Sequence, residues 1–428
     1  MLMSLGGLVF LAALLGMLLA YLTRTTAIRR MRTLGGEQDV LDAREDKFNI
    51  HLGLMTSVQV VGGNEIEVLF NGDQTFPRIW DAIKDAKHVI CVHVYEVNPG
   101  QVADTLLRAL SERAQAGVQV LVLLDAIGSG QMPRSYRQRL IAAGAEVAIY
   151  RPLRLKEAYK FQQRMHMRAI VIDGRIGFTG GFGIADQWLG NGRAQDQWRD
   201  TNVRIDGPAA MQLQVAFSNN WAEATGDLLI GDTISPFNRM PSVDEPQAAG
   251  IMACSPSLGS TNAERFFFLA ITSARKRIYI ASAYFVPTHG MRWLLMNAVD
   301  RGVDVRVLTP GSNTNQPLVW HAGRAIYRQL MDAGVRIYAY QPGMMHAKTF
   351  VADACWATVG TFNIDNRSMT LNDEVALIIR DETIAQCLEQ HFLADLEDSK
   401  ELRPRDLQPE SGLDWIKIRG SRLLTPFL

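Results

Sequence analysis

Two stretches decide how this chain folds: RMHMRAIVIDGRIGFTGGFGIADQW at residues 164–188 and MMHAKTFVADACWATVGTFNIDNRS at residues 344–368. The first carries His166-x-Arg168, four residues, Asp173, six residues, then Gly180-Gly181-x-Gly183. The second carries His346-x-Lys348, four residues, Asp353, six residues, then Gly360-Thr361-x-Asn363. The spacing is the same in both and the offset is 180 positions throughout. An apolar run of strand length (AIVID, TFVAD) follows each cation. In such an extended segment side chains alternate, so a histidine and the cation two residues on share one face.

Working outward, the flanks repeat as well. AGVQVLVLL at 116–124 is matched by RGVDVRVL at 301–308, AAGAEVAIY at 142–150 by DAGVRIYAY at 332–340, and AIKDAKHVICVHVY by AITSARKRIYIASAYF. This is an internal duplication of a long unit, not a short-period solenoid. Strand-length runs alternate with helix-period stretches such as VADTLLRALSERAQAG, which predicts an α/β fold in each copy. The polar stretch DTISPFNRMPSVDEPQAAG at 232–250, with Pro236, Pro241 and Pro246, reads as a linker between halves at 65–231 and 251–400. Each half is long enough for its own sheet and core.

The ends differ from this body. Met1 to Leu22 contains no charged side chain, and Arg24, Arg29, Arg30 and Arg32 follow it. At about 1.5 Å per residue this run spans a bilayer, so residues 1–23 are expected to be a transmembrane helix rather than a cleaved signal. The arginines place the remainder on the cytoplasmic side. Residues 24–64 read as a charged, irregular juxtamembrane connector. The tail 401–428, with Pro404, Pro409 and Pro426 and the mixed basic and apolar DWIKIRGSRLLTPFL, packs on its own domain or touches the membrane.

Composition excludes several classes. With 47% hydrophobic and 21% charged residues the chain is not disordered. Lys+Arg and Asp+Glu are balanced at 44 each, which argues against a protein that collects nucleic acid by bulk charge. Cys91, Cys254, Cys355 and Cys387 show no metal-ligand spacing, so neither disulfides nor zinc are expected.

A cation beside an imidazole in both copies suits a phosphate diester, whose non-bridging oxygens the cations hold and whose developing charge they neutralise. Two imidazoles have two jobs: one attacks phosphorus, the other protonates the leaving oxygen and then deprotonates the incoming hydroxyl. Each ring needs an acid to fix its tautomer. Asp200 in QWRDTNV, 34 residues after His166, and Glu374 in LNDEVAL, 28 after His346, are the candidates. Asp173 and Asp353 end apolar runs before turn residues and are expected to fix the motif loop by accepting hydrogen bonds.

The paired motifs resemble those of the phospholipase D superfamily, over nearly all of 65–400. GRIGFTGGFGIADQWLG and QWRDTNVRIDGPAAMQLQVAFSNNWAEATGDLL look like its bacterial cardiolipin synthase branch. The resemblance implies two α/β/α sandwich domains related by a pseudo-twofold, one active site at their interface, no metal and no other cofactor. It also implies covalent phosphatidyl transfer between two phosphatidylglycerol molecules at the bacterial inner membrane. By that pattern His166, Arg168, Asp173, His346, Lys348 and Asp353 form the catalytic motifs, with Asp200 and Glu374 as orienters. His166 would be the nucleophile and His346 the general acid and base. Lys348, Arg168 and Asn363 would hold phosphate oxygens. Two departures fall in the first copy: Arg168 where the family has Lys, and Gly183 opposite Asn363. They keep open a hydrolase acting on phospholipid, in preference to nucleic acid, or a catalytically impaired lipid-binding homologue. RPLRLKEAYKFQQRMHMR at 151–168 sets six cations against one acid, and is expected to be either a solvated loop or a lip that meets anionic headgroups.

Overall fold

The computed structural model describes residues 41–152, 162–232, 245–256 and 261–409, with Ile28, Ile234, Pro236, Ser242 and six positions of the tail besides. Among them the first half contributes β1 (Glu65–Phe70), β2 (Val89–Val94), β3 (Gln119–Asp125), β4 (Glu146–Tyr150), β5 (Ala169–Ile172), β6 (Ile176–Gly180), β7 (Trp198–Arg199) and β8 (Thr201–Asp206). The second contributes β9 (Ala248–Cys254), β10 (Arg277–Ala281), β11 (Asp304–Pro310), β12 (Arg336–Tyr340), β13 (Met344–Met345), β14 (Thr349–Ala352), β15 (Trp356–Gly360), β16 (Glu374–Arg380) and β17 (Ser399–Glu401). The first sheet runs β1-β8-β6-β5-β2-β3-β4 and the second β9-β16-β15-β14-β10-β11-β12-β17. Apart from β17 the orders are equivalent strand for strand. The duplication in the sequence is therefore a duplication of topology.

In each copy three strands are parallel (β2, β3, β4 and β10, β11, β12) and the rest pair antiparallel. Helices make the parallel crossovers, as Gln101–Gln115 does between β2 and β3. It turns Val102, Leu106, Leu107 and Leu110 inward at helical spacing. β2 is buried along its whole length, which is why its sequence VICVHV shows no alternation. Each motif strand returns through a hairpin (β5–β6, β14–β15) whose corner is Asp173 or Asp353, both at φ 52°.

The halves do not merely sit side by side. Each has an apolar core between its sheet and outer helices, and a third cluster is common to both. It joins Val203, Ile205, Leu213, Phe217 and Trp221 of the first half to Ile251, Val351, Val359, Leu377 and Ile379 of the second. At about 1.5–3 kcal/mol for each large apolar side chain buried, this seam holds the copies in one register. A site divided between them requires that.

Two boundaries differ from the sequence reading. A helix, Asp46–Thr56, interrupts the expected irregular connector because Phe48, Leu52 and Thr56 recur every fourth residue and are buried. β9 begins at Ala248, inside the expected linker, where the apolar AAGIMAC pairs with β16 once Pro246 is passed. The expected span at 1–23 lies outside the described residues. Among those described, no helix is long and apolar enough to cross a membrane.

Candidate active site

Short parallel pairings across the seam place the histidines. Met165 bridges to Asp373, and Met344–Met345 of β13 pair with Trp198–Arg199 of β7. The second half donates both backbone bonds: Asp373 N to Arg164 O at 2.9 Å and His346 N to Arg199 O at 2.7 Å. The next residue on each strand is then a candidate site residue on both sides. His166 meets Glu374, its Nδ1 lying 3.0 Å from each carboxylate oxygen, and His346 Nδ1 lies 2.8 Å from Asp200 Oδ2. Each acid thus serves the histidine of the other half, 208 and 146 residues away in the chain, rather than the one upstream of it. Both acids are fully buried, and His166 and His346 are only 8% and 2% exposed.

A carboxylate at Nδ1 keeps the ring proton there and leaves Nε2 unprotonated. Burial pushes the same way: it lowers His166 to about 4 and His346 to about 3, with Arg168 and Lys348 respectively adding to the effect. Burial works against ionisation of Asp200 and Glu374, yet the facing histidine and its hydrogen bond hold both below the usual carboxylate range. At neutral pH the unliganded site therefore contains two neutral imidazoles and two carboxylates.

The cations occupy the same pocket in different ways. Lys348 donates to the carbonyl of His346 and leaves Nε2 of that ring alone. Arg168, 1% exposed, reaches further, and its Nη1 donates both to His166 O at 2.9 Å and to His166 Nε2 at 3.0 Å. The longer guanidinium thus caps the nitrogen that lysine, in the other copy, does not reach. Burial lowers Lys348 to about 7, so an arriving phosphate would restore its charge.

Asn363 is buried, and its Oδ1 accepts from Tyr284 N at 3.2 Å. At the equivalent Gly183 there is no room for an amide, since an added Cβ would lie 2.6 Å from the Trp188 ring. Asp173 and Asp353 stand apart from the histidines. Asp173 accepts from the backbone N–H groups of Lys87, His88 and Val89 at 2.8–3.0 Å, and Asp353 from those of Arg275, Lys276 and Arg277 at 2.7–2.9 Å. Each fastens its motif corner to the start of the neighbouring strand.

The structure adds residues that the motif did not point to. Asp125, at the end of β3, accepts from Met165 N at 3.0 Å and so fixes the residue before His166. Arg151 pairs with Asp373 at 2.6 Å and with Glu223 at 2.9 Å, bracing the residue before Glu374. Tyr95 lies edge-on to His166 at 5.1 Å, and Trp188 and Trp198 lie 5.3 and 4.7 Å from His346. The only signal for Asp125 was its place after the apolar run VQVLVLL, at the carboxyl end of a parallel strand.

Two copies of one α/β unit, each lending an acid to the other's histidine, define the phospholipase D class of phosphodiester enzymes. The family described as "Cardiolipin synthase, PLD-like domain" matches residues 79–221 and 268–396. Cardiolipin synthase A of Pseudomonas putida is 33% identical over 398 residues, 91% of this chain and 81% of the relative. Cardiolipin synthase of Geobacillus kaustophilus is 35% identical over 369 residues, 85% and 72% of the two chains. The crystal structure of phosphatidylserine synthase from Haemophilus influenzae shares the fold at a TM-score of 0.68 and 14% identity, covering 89% of this chain and all of that one. The chain belongs to the cardiolipin synthase branch of the phospholipase D superfamily and is a phosphatidyltransferase.

Proposed function

We propose that this enzyme makes cardiolipin from two phosphatidylglycerol molecules. His166 Nε2 attacks the phosphorus of the first. The P–O bond to glycerol breaks, and that oxygen takes a proton from His346 Nε2. A hydroxyl of the second phosphatidylglycerol then gives its proton to His346 and attacks phosphorus, and the P–N bond to His166 breaks. Arg168, Lys348 and Asn363 hold the non-bridging oxygens, so Arg168 moves from His166 Nε2 to phosphate as the substrate enters. The diester's negative charge offsets the cations that depress His346, letting it carry the proton its acid role requires.

The observation that carries this reading is the pair of buried imidazoles, each held at Nδ1 by the opposite half's carboxylate. The charge-free run 1–22 and the basic residues of 151–168 support work at an anionic bilayer, with residues 1–23 as the anchor in a bacterial inner membrane and the catalytic halves on its cytoplasmic side. The test is incubation with headgroup-labelled phosphatidylglycerol in vesicles. Cardiolipin and free glycerol in equal amounts are expected, both lost in His166→Ala and His346→Ala. Phosphatidic acid as the main product would replace this reading with a hydrolase.

A further inference from the structure

Among the differences between the two halves at the 180-residue offset, Gly183 and Trp188 stand where the second copy has Asn363 and Ser368. Trp188 is 1% exposed, and its indole Nε1 donates to Asp200 Oδ2 at 2.8 Å. That is the same oxygen that faces His346 Nδ1 at 2.8 Å, while Asp200 Oδ1 accepts from Thr201 N at 2.8 Å. In the second copy the acid, Glu374, takes its extra donor from Asn372 Nδ2 at 3.2 Å.

The indole is held from several directions. Asp186, which opens the short turn Asp186–Trp188, accepts from Gln101 N and Val102 N at 3.0 Å. A Cβ at Gly72 would lie 2.0 Å from Trp188 O, so the turn packs directly on that backbone. The ring also meets His346 edge-on at 82°.

We propose that Trp188 is a positioning residue for proton transfer: its N–H orients Asp200 and tempers the basicity that Asp200 imposes on His346, and Gly183 is the space the indole needs rather than a pocket donor lost. The proposal rests on the role given to His346 above. An acid that accepts fewer hydrogen bonds is more basic and stabilises an imidazolium facing it more strongly, so losing the indole N–H raises the pKa of His346.

Trp188→Phe keeps a ring and removes the donor. We expect kcat to fall about 10- to 100-fold, as for other groups that orient a reacting side chain, with KM for phosphatidylglycerol changed less than about twofold. The pH limb assigned to His346 should move up by about 0.5–1 unit. Gly183→Asn alone should fold poorly or lose activity, and Gly183→Asn with Trp188→Ser, which copies the second half, should regain activity over that single variant. An unchanged kcat and pH profile in Trp188→Phe, or a fully active Gly183→Asn, would overturn the proposal. Activity surviving in His346→Ala would instead overturn the reading on which it rests, so the two failures are distinguishable.

Discussion

Glu374→Gln tests the exchange of acids between halves. The change keeps the size of a fully buried side chain and removes its charge. His166 Nδ1 lies 3.0 Å from both carboxylate oxygens, and Asn372 Nδ2 donates to Oε1 at 3.2 Å. Asn372 selects the rotamer that puts the new amide oxygen at Oε1, leaving the new NH2 at the Oε2 position against the Nδ1 proton. Loss of a charge-assisted bond costs about 1.5–3 kcal/mol. A proton driven to Nε2 would also face Arg168 Nη1 at 3.0 Å, donor against donor. A buried donor left unsatisfied costs about 1–3 kcal/mol more. Together these give about 2.5–6 kcal/mol, or roughly 70- to 26,000-fold in the rate of covalent intermediate formation. Rapid-quench measurement of phosphatidyl-enzyme at saturating lipid reads that step directly. KM should change little, because Glu374 orients the ring and does not hold the substrate. An intermediate formed at the wild-type rate would refute the claim that an acid of the second half governs the first-half histidine.

Other predictions follow from the same geometry. His93 is buried in β2 with neither ring nitrogen partnered, and burial lowers it to about 3. Its unfolded pKa is near 6.5, so the unfolded chain binds the extra proton and stability falls as the pH drops below about 6.5. This one residue should cost about 2 kcal/mol between pH 7 and 5. His93→Leu should raise Tm at pH 5 more than at pH 7.5 in a thermal melt, and an equal shift at both would contradict it. Asp353→Ala frees three backbone N–H groups and should lower stability by about 2–4 kcal/mol in a denaturant titration, with kcat per folded molecule within about threefold of wild type. Arg168→Lys keeps the charge and uncaps His166 Nε2, so kcat should stay within about tenfold, whereas Arg168→Ala should lose more than about a hundredfold in kcat/KM.

Much of this was legible in the sequence because repetition is a strong signal. Two copies of His-x-cation-x4-Asp inside matching α/β flanks pointed to the duplicated α/β fold and to the two histidines, and the position of Asp173 and Asp353 before turns indicated corners. The exchange of Asp200 and Glu374 was not legible, because distance along the chain points each acid to its own half while the pairing follows β7–β13 and the Met165–Asp373 bridge. Nor could Gly183 be read correctly alone. It looked like a missing donor until Trp188, five residues on, was seen to fill the space and bond Asp200. The helix Asp46–Thr56 was hidden among charges because only one side of it is buried. Asp125 and Arg151 act through backbone or ionic contacts set by the fold, with no spacing to announce them.

The central claim is that phosphatidyl transfer passes through one histidine with the other moving protons. Quench of His346→Ala with denaturant at neutral pH after mixing with phosphatidylglycerol, followed by peptide mapping by mass spectrometry without acid, tests it most directly. The account predicts a phosphatidyl adduct on His166 Nε2 that turns over slowly, with none in His166→Ala. An adduct on another residue, or cardiolipin formed at the wild-type rate by either variant, would contradict it.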